Sequence, residues 1–155
     1  MTKLSDKFDR LFSGKVRHFS SDEIKPKTKT RIFFALQPYG LTKSTFYLRL
    51  FSKGFNPWEI YGIKHIKNTF INAHRTELRK ANGGSIQFRD NSGDFFRLLR
   101  NAELITVFKD YMLELGMSPN TTTARFSIDN WKAWEKRGLK DIITRFLERY
   151  DEDES

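Results

Sequence analysis

Residues 40–71 read GLTKSTFYLRLFSKGFNPWEIYGIKHIKNTFI, and residues 116–147 read GMSPNTTTARFSIDNWKAWEKRGLKDIITRFL. The two stretches align without a gap. The identical pairs are Gly40 with Gly116, Thr45 with Thr121, Arg49 with Arg125, Trp58 with Trp134, Glu59 with Glu135, Gly62 with Gly138, Lys64 with Lys140, Ile66 with Ile142 and Phe70 with Phe146. Two unrelated amphipathic helices would explain the apolar spacing but not the aligned tryptophans and glycines. We therefore interpret the chain as a tandem duplication.

The first copy predicts a helix, a tight turn and a second helix. Apolar residues at helical spacing over residues 29–37 predict the first helix, and residues 38–40, Pro-Tyr-Gly, end it. The second helix has Thr42 or Ser44 as its cap and ends at Gly54. Its inward positions are apolar and its outward positions are polar and basic, so one face is available for a partner.

A third helix completes the predicted unit. It opens at Asn56 and Pro57, which suit a cap and a first turn, and runs to about Arg79. The predicted fold is mainly α, with two tandem helix-turn-helix-like three-helix units and at most a short β-hairpin in the connector. The predicted divisions are a basic arm 1–20, a first unit 21–80, a connector 81–100, a second unit 101–150 and an acidic tail 151–155.

Residues 40–50, GLTKSTFYLRL, resemble the helix-turn-helix pattern of DNA-binding proteins from phages, mobile elements and bacterial regulators. That pattern reads glycine, aliphatic, Ser/Thr, any residue, Ser/Thr, Thr, aliphatic or aromatic, any two residues, Arg, aliphatic. In it the glycine lies in the turn, and hydroxyl and basic residues early in the second helix face DNA. The resemblance implies DNA contacts by Lys43, Ser44, Thr45, Tyr47 and Arg49. The outward Lys53 and the preceding basic residues Lys27, Lys29 and Arg31 are expected to hold phosphates.

The second copy carries less charge at the corresponding positions. It keeps Arg125, but Pro119 and Asp129 stand where the first copy has Lys43 and Lys53. Its predicted DNA-contacting residues are Asn120, Thr121, Thr123 and Arg125. The second copy is either a weaker DNA reader or a module that contacts protein.

The excess positive charge lies in the first half of the chain. The formal net charge is +9. Residues 1–76 hold 15 Lys and Arg against 5 Asp and Glu, a net +10, whereas residues 77–155 hold 13 against 14, a net −1. A basic surface on a nucleic acid releases condensed counterions and gains salt-dependent affinity. The distribution therefore favours the first copy as the main DNA reader.

The two ends and the connector have simpler interpretations. The basic residues of the arm surround Phe8, Leu11 and Phe12, which predicts a helix that packs on the core, tracks phosphates or lies on a membrane surface. In the connector, residues 86–88 are the hairpin candidate, and residues 90–94 predict a turn before a helix starting near Asp94. The acidic tail is a solubilising end or a phosphate mimic.

Catalytic and metal-binding classes find no support in the sequence. The chain has no Cys, and His18, His65 and His74 lack metal-ligand spacing. No Gly-rich phosphate loop precedes a Lys, and no nucleophile motif surrounds a Ser. No apolar run approaches the roughly 20 residues that span a bilayer. We expect a cytoplasmic protein of a bacterial or phage-infected cell, without cofactor or membrane partner.

These patterns predict a non-enzymatic protein that binds double-stranded DNA as a regulatory or accessory factor of a phage or mobile element, for instance in transcription regulation. The alternative is a protein-interaction factor, such as a phage inhibitor or virion component, that keeps a helix-turn-helix scaffold. Aromatic residues, which are 15% of the chain, also serve as anchors in protein interfaces.

Overall fold

The computed structural model describes residues 3–84 and 94–150, and the regular elements within these ranges are helices. The predicted mainly α fold is confirmed. The helices are α1 (Leu4–Phe12), α2 (Pro26–Leu36), α3 (Lys43–Leu48), α4 (Pro57–Tyr61), α5 (Ile63–Ala73), α6 (Arg75–Ala81), α7 (Phe95–Leu99), α8 (Ala102–Glu114), α9 (Pro119–Ile128), α10 (Ala133–Arg137) and α11 (Leu139–Arg149). A 3-10 turn, Gln37–Tyr39, follows α2, and a π-helical turn, Arg49–Lys53, follows α3. None of the described helices has the length and apolar character needed to cross a bilayer.

The chain divides into two compact units, and the first combines its two ends. Unit 1 comprises Met1–Gly62 and Lys132–Ser155. Helix α11 packs against α1, α2 and α4. Its buried residues are Leu139, Ile142, Ile143, Phe146 and Leu147, which join the core formed by the first four helices. The amphipathic pattern of α11 thus places one apolar face against residues far away in the sequence.

Unit 2 is the continuous segment Ile63–Trp131, and aromatic rings dominate its core. Phe108 of α8 lies at the centre, with its ring centroid 5.0 Å from Phe70, 4.8 Å from Phe95 and 4.9 Å from Phe126. Most of these pairs meet edge to face or tilted, which is the arrangement that ring quadrupoles favour. Helix α5 therefore contributes Phe70 to a cluster otherwise built from α7, α8 and α9.

The compact units do not follow the order of the two sequence copies. Helix α5 ends the first copy but belongs to unit 2, whereas α11 ends the second copy and belongs to unit 1. The predicted ranges 21–80 and 101–150 follow the repeat, while the structure completes each unit with the last helix of the other copy. Since α5 and α11 align in sequence, they bury equivalent positions in their units, with Lys67 of α5 in the place of Ile143 of α11.

The predicted third helix of the first copy is divided into three. Helix α4 ends at Gly62, α5 follows at once, and α6 begins after His74. Gly62 has φ 91° and ψ 147°, and the equivalent Gly138 has φ 88° and ψ 143°. L side chains rarely adopt this backbone conformation, so glycine is favoured where α4 and α10 end.

Gly62 and Gly138 also meet each other inside unit 1. A Cβ on Gly62 would lie 2.5 Å from the backbone nitrogen of Gly138, and a Cβ on Gly138 would lie 2.4 Å from the carbonyl oxygen of Tyr61. Both glycines are thus required twice, for their dihedral angles and for the close approach of two backbones.

Several local predictions are confirmed. Thr42 caps α3, because its hydroxyl accepts the Thr45 N–H at 3.3 Å. Asp94 caps α7 through the Phe96 N–H at 2.9 Å. In the arm, α1 buries Phe8, Leu11 and Phe12, so the core-packing interpretation of this segment holds. The hairpin candidate 86–88 and the turn at 90–93 lie outside the described residues, as does the acidic tail.

Gly62→Ala is expected to lower the free energy of unfolding by about 3 kcal/mol or more, because left-handed strain adds to overpacking against backbone. Gly14→Ala is the matched control: Gly14 has φ 78°, but no atom lies within 4 Å of the place where its Cβ would stand. That control should lose only about 1 to 2 kcal/mol, from strain alone. Urea unfolding followed by circular dichroism measures both, and equal losses would contradict the close-contact argument.

Candidate nucleic-acid interface

Helix α3 presents a polar and aromatic face and buries its apolar side. Phe46 and Leu50 are fully buried, whereas Lys43, Ser44 and Leu48 are exposed. The preceding turn contains Gly40, whose φ of 88° requires the left-handed conformation. At about 100° per residue, the outward positions cover an arc of roughly 140°. The local sequence therefore fixes which side of α3 is available to a partner.

Two lysines flank two adjacent aromatic rings along this side of unit 1. We define the α3 face as Lys29, Lys43, Ser44, Tyr47, Leu48 and Phe51. The Lys43 Nζ lies 5.8 Å from the centroid of the Tyr47 ring, and the Lys29 Nζ lies 4.8 Å from that of Phe51. The two rings are 6.0 Å apart. The Lys29 Nζ also donates to the carbonyl oxygen of Ser21.

The charged residues of the α3 face are Lys29 and Lys43, and the face contains no acidic residue. The stretch from Lys43 to Lys53 contains three basic residues and no Asp or Glu. Lys53 is exposed at the end of the π-helical turn, although its carbonyl oxygen accepts a hydrogen bond from Arg17 Nε at 2.9 Å. Aromatic rings under the lysines hold the ammonium groups near the surface without neutralising them.

The other basic residues of α2 lie on a different side of the helix. Arg31 follows Lys29 by two residues, a rotation of about 200° on an α-helix. Its guanidinium lies 5.9 Å from the ring centroid of Tyr150, after α11. Lys27 is exposed and precedes Arg31 by one helical turn. Of the three α2 cations predicted to hold phosphates, only Lys29 lies beside α3.

Arg49 is engaged inside unit 1. Its Nη2 donates to the Glu59 carboxylate, and its Nε donates to the Gly54 carbonyl oxygen at 2.6 Å. The guanidinium also lies 5.2 Å from the centroid of the Phe55 ring. These contacts join the end of α3 to the start of α4. Arg49 therefore stabilises the fold of unit 1. It is not one of the residues that we propose to contact DNA.

Thr45 and Thr121 both belong to helix caps. The Thr42 hydroxyl lies 2.9 Å from that of Thr45, and Ser118 Oγ lies at the same distance from Thr121 Oγ1. Ser118 Oγ also accepts the Thr121 N–H at 3.2 Å, as Thr42 does for Thr45. The two copies thus begin α3 and α9 with the same hydroxyl arrangement.

In unit 2, α9 presents an uncharged polar face. Asn120, Thr121 and Thr123 are exposed, and the Thr123 hydroxyl donates to the Pro119 carbonyl oxygen at 3.0 Å. Arg125 repeats the arrangement of Arg49, because its Nη2 donates to the Asn130 carbonyl oxygen at 2.9 Å. Its guanidinium lies 4.2 Å from the ring centroid of Trp131.

Lys67 shows that part of the basic charge is internal, which the sequence reasoning missed. It is 2% exposed, and its Nζ forms a 2.9 Å ion pair with Asp129 in the same unit. The ammonium also lies 5.8 Å from the Phe95 ring centroid and 5.9 Å from that of Phe126. The available signal was its position one residue after Ile66, on the apolar side of α5. The sequence alignment places Asp129 opposite Lys53 but does not predict that Asp129 pairs with Lys67.

Glu59 is one of two buried acids among the described residues of unit 1, and Glu135 is the other. Glu59 accepts the Asn56 N–H at 2.9 Å and pairs with Arg49. Burial raises the pKa of Glu59, the hydrogen bond from Asn56 and the charge of Arg49 offset part of the rise, and the charge of Glu135 adds to it. Removal of the carboxylate from water is thus the dominant effect on this group.

Comparison of the chain with known protein families, with curated proteins and with solved structures found no match.

Arg49→Ala is expected to destabilise the protein by about 3 to 5 kcal/mol, because Glu59 would remain buried without its charge partner. Lys43→Ala, at an exposed position on the same helix, is the matched control and should change stability by less than about 0.5 kcal/mol. Chemical unfolding monitored by tryptophan fluorescence measures both. Equal stability of the two variants would contradict the scaffold role.

Glu59→Gln tests the raised pKa. The folded protein holds a proton on Glu59 more readily than the unfolded chain, so this group favours the folded state below its ordinary value of 4.5 and loses that effect as the pH rises through the folded-state pKa. On acidification from neutral pH, wild type should therefore gain stability relative to Glu59→Gln. The readout is the difference in unfolding free energy across pH, and the opposite slope would refute the assignment.

Proposed function

We propose that this protein binds double-stranded DNA without chemically altering it, with α3 as the recognition helix. Helix α2, the turn through Gly40 and α3 correspond to a helix-turn-helix, in which the second helix enters the major groove. The observation that carries the proposal is the α3 face itself. It combines exposed lysine and hydroxyl groups with half-buried aromatic rings, and the stretch from Lys43 to Lys53 contains no acidic residue.

The side chains divide into two roles by reach and chemistry. Lys29, Lys43 and Lys53 suit phosphate oxygens, which supply most of the affinity and its salt dependence. Ser44 and Tyr47 can donate or accept hydrogen bonds at base edges or phosphates. Arg49 and Lys67 form ion pairs within the protein. The proposed interface therefore uses only some of the basic residues in the first half of the chain.

The second copy supplies a parallel element. Helix α8, the turn at Gly116 and α9 repeat the arrangement, and Asn120, Thr121 and Thr123 are its polar contacts. Since α9 presents hydroxyls and an amide rather than lysines, it adds less affinity and more selectivity. We propose that one chain carries two tandem helix-turn-helix-like elements, and that it acts as a regulatory or accessory factor in DNA transactions of a phage or mobile element.

A protein-interaction factor is the second candidate. Phe34 on α2 is 60% exposed and Leu113 on α8 is 55% exposed. Large apolar side chains in the open are typical of protein interfaces when they form contiguous patches. Salt dependence separates the two functions, because phosphate contacts weaken steeply with salt whereas apolar contacts do not.

The double variant Lys29→Ala, Lys43→Ala tests the DNA-binding proposal. We expect at least about a tenfold loss of affinity for a random-sequence duplex at low salt, and a slope of log K against log salt that is shallower by about 1 to 2, because two phosphate contacts are lost. Fluorescence anisotropy of labelled duplex across a salt series measures both quantities.

The matched control is Lys64→Ala, Lys80→Ala, which removes the same two charges from exposed positions on α5 and α6. This control should lose less than half of the duplex-binding free energy that the Lys29→Ala, Lys43→Ala variant loses. Equal losses in the two variants would mean that net charge and not the α3 face attracts DNA. Absence of duplex binding by the wild-type chain at low salt would favour the protein-interaction function.

A further inference from the structure

In the two proposed recognition helices, the side chain that most often reads guanine is engaged inside the protein. Arginine contacts guanine through a bidentate pair of hydrogen bonds, and α3 with its π-helical turn and α9 contain one arginine each. Arg49 donates to Glu59 and Gly54, and Arg125 donates to Asn130 and stacks over Trp131. Both guanidinium groups are therefore occupied inside their own units.

Exposed apolar side chains lie at the C-terminal ends of the two proposed recognition helices. Leu48 is 47% exposed on α3, one turn after Ser44, and Ile128 is 69% exposed on α9, one turn after Ala124. Isolated surface leucines need no explanation, but these two lie on the faces that also carry the polar groups proposed to meet DNA. The equivalent position of Leu48 in the second copy is Ala124, so apolar groups occur at this place in both copies.

The major groove offers one apolar group to such side chains. The C5-methyl of thymine projects from the base edge, and alanine, threonine methyl and larger apolar groups contact it. In addition, α9 exposes Asn120, whose amide matches the donor and acceptor pair of adenine. With Lys43 assigned to a phosphate, the remaining side chains on both faces fit A·T base pairs better than G·C pairs.

On the basis of the proposed function, we infer that this protein prefers A·T-rich duplexes and recognises thymine methyl groups through Leu48 and Ile128. The lysines of the α3 face hold the DNA backbone, and the apolar side chains on α3 and α9 select the base. Binding of a protein partner would not depend on thymine methyl groups. A dependence on these methyl groups therefore distinguishes DNA from a protein that binds the same surface.

Replacing thymine with uracil tests the inference, because uracil lacks only the methyl group. The probes are an alternating A·T duplex, the same duplex with uracil in place of thymine, and a G·C duplex of equal length. Each contacted methyl should contribute about fourfold in affinity, as one buried apolar carbon does. Wild type should bind the thymine duplex more tightly than the uracil duplex by at least that factor, and more tightly than the G·C duplex.

The double variant Leu48→Ala, Ile128→Ala should bring the thymine-to-uracil ratio close to one, while retaining the salt dependence of binding. Leu113→Ala, which truncates an exposed leucine on α8 outside both faces, is the control and should keep the wild-type ratio. Circular dichroism confirms that the variants fold.

Equal affinity for the thymine and uracil duplexes, with salt-dependent binding intact, would overturn the methyl inference and leave the DNA-binding proposal standing. A ratio unchanged in the double variant would overturn the assignment to Leu48 and Ile128. Failure of wild type to bind any of the three duplexes would remove both proposals together.

Discussion

The architecture depends on the contact between two glycine backbones. Gly62 and Gly138 approach so closely that neither position has room for a Cβ, and both adopt dihedral angles that other residues avoid. This geometry ends α4 and α10 in the same way and lets the next helix start without a linker. Unit 1 accordingly joins the first four helices to the last two, and α5 is left to complete the core of unit 2.

The two copies have kept their scaffold more faithfully than their exposed surface. Arg49 and Arg125 each fasten the end of a helix to the loop that follows it, and the aligned tryptophans and glutamates are buried. The outward positions differ, since Lys43 aligns with Pro119. Shared residues of a duplicated unit therefore identify what holds the fold, and the residues that differ indicate where the copies have separate tasks.

Local structure followed from sequence wherever neighbouring residues determine it. The cap at Thr42, the turn at Gly40 and the buried positions Phe46 and Leu50 are set by short-range sterics and apolar spacing. The ion pair of Arg49 could not be predicted from the sequence, because its partner Glu59 lies on another helix. An arginine at an outward helical position also resembles a DNA contact. The exchange of α5 and α11 could not be predicted either, because the two helices share most of their apolar pattern and the contacts that assign each to its unit lie far away in the sequence.

The two separate stretches that form unit 1 are synthesised at different times. Unit 2 is one uninterrupted stretch, so all of its residues are present once Trp131 has left the ribosome. Unit 1 starts earlier in the chain, yet its core waits for α11, which is translated after the whole of unit 2. The core that supports the proposed recognition surface on α3 is therefore completed only when α11 has been synthesised. A chain terminated before α11 would contain α3 without the apolar residues of α11 that complete this core.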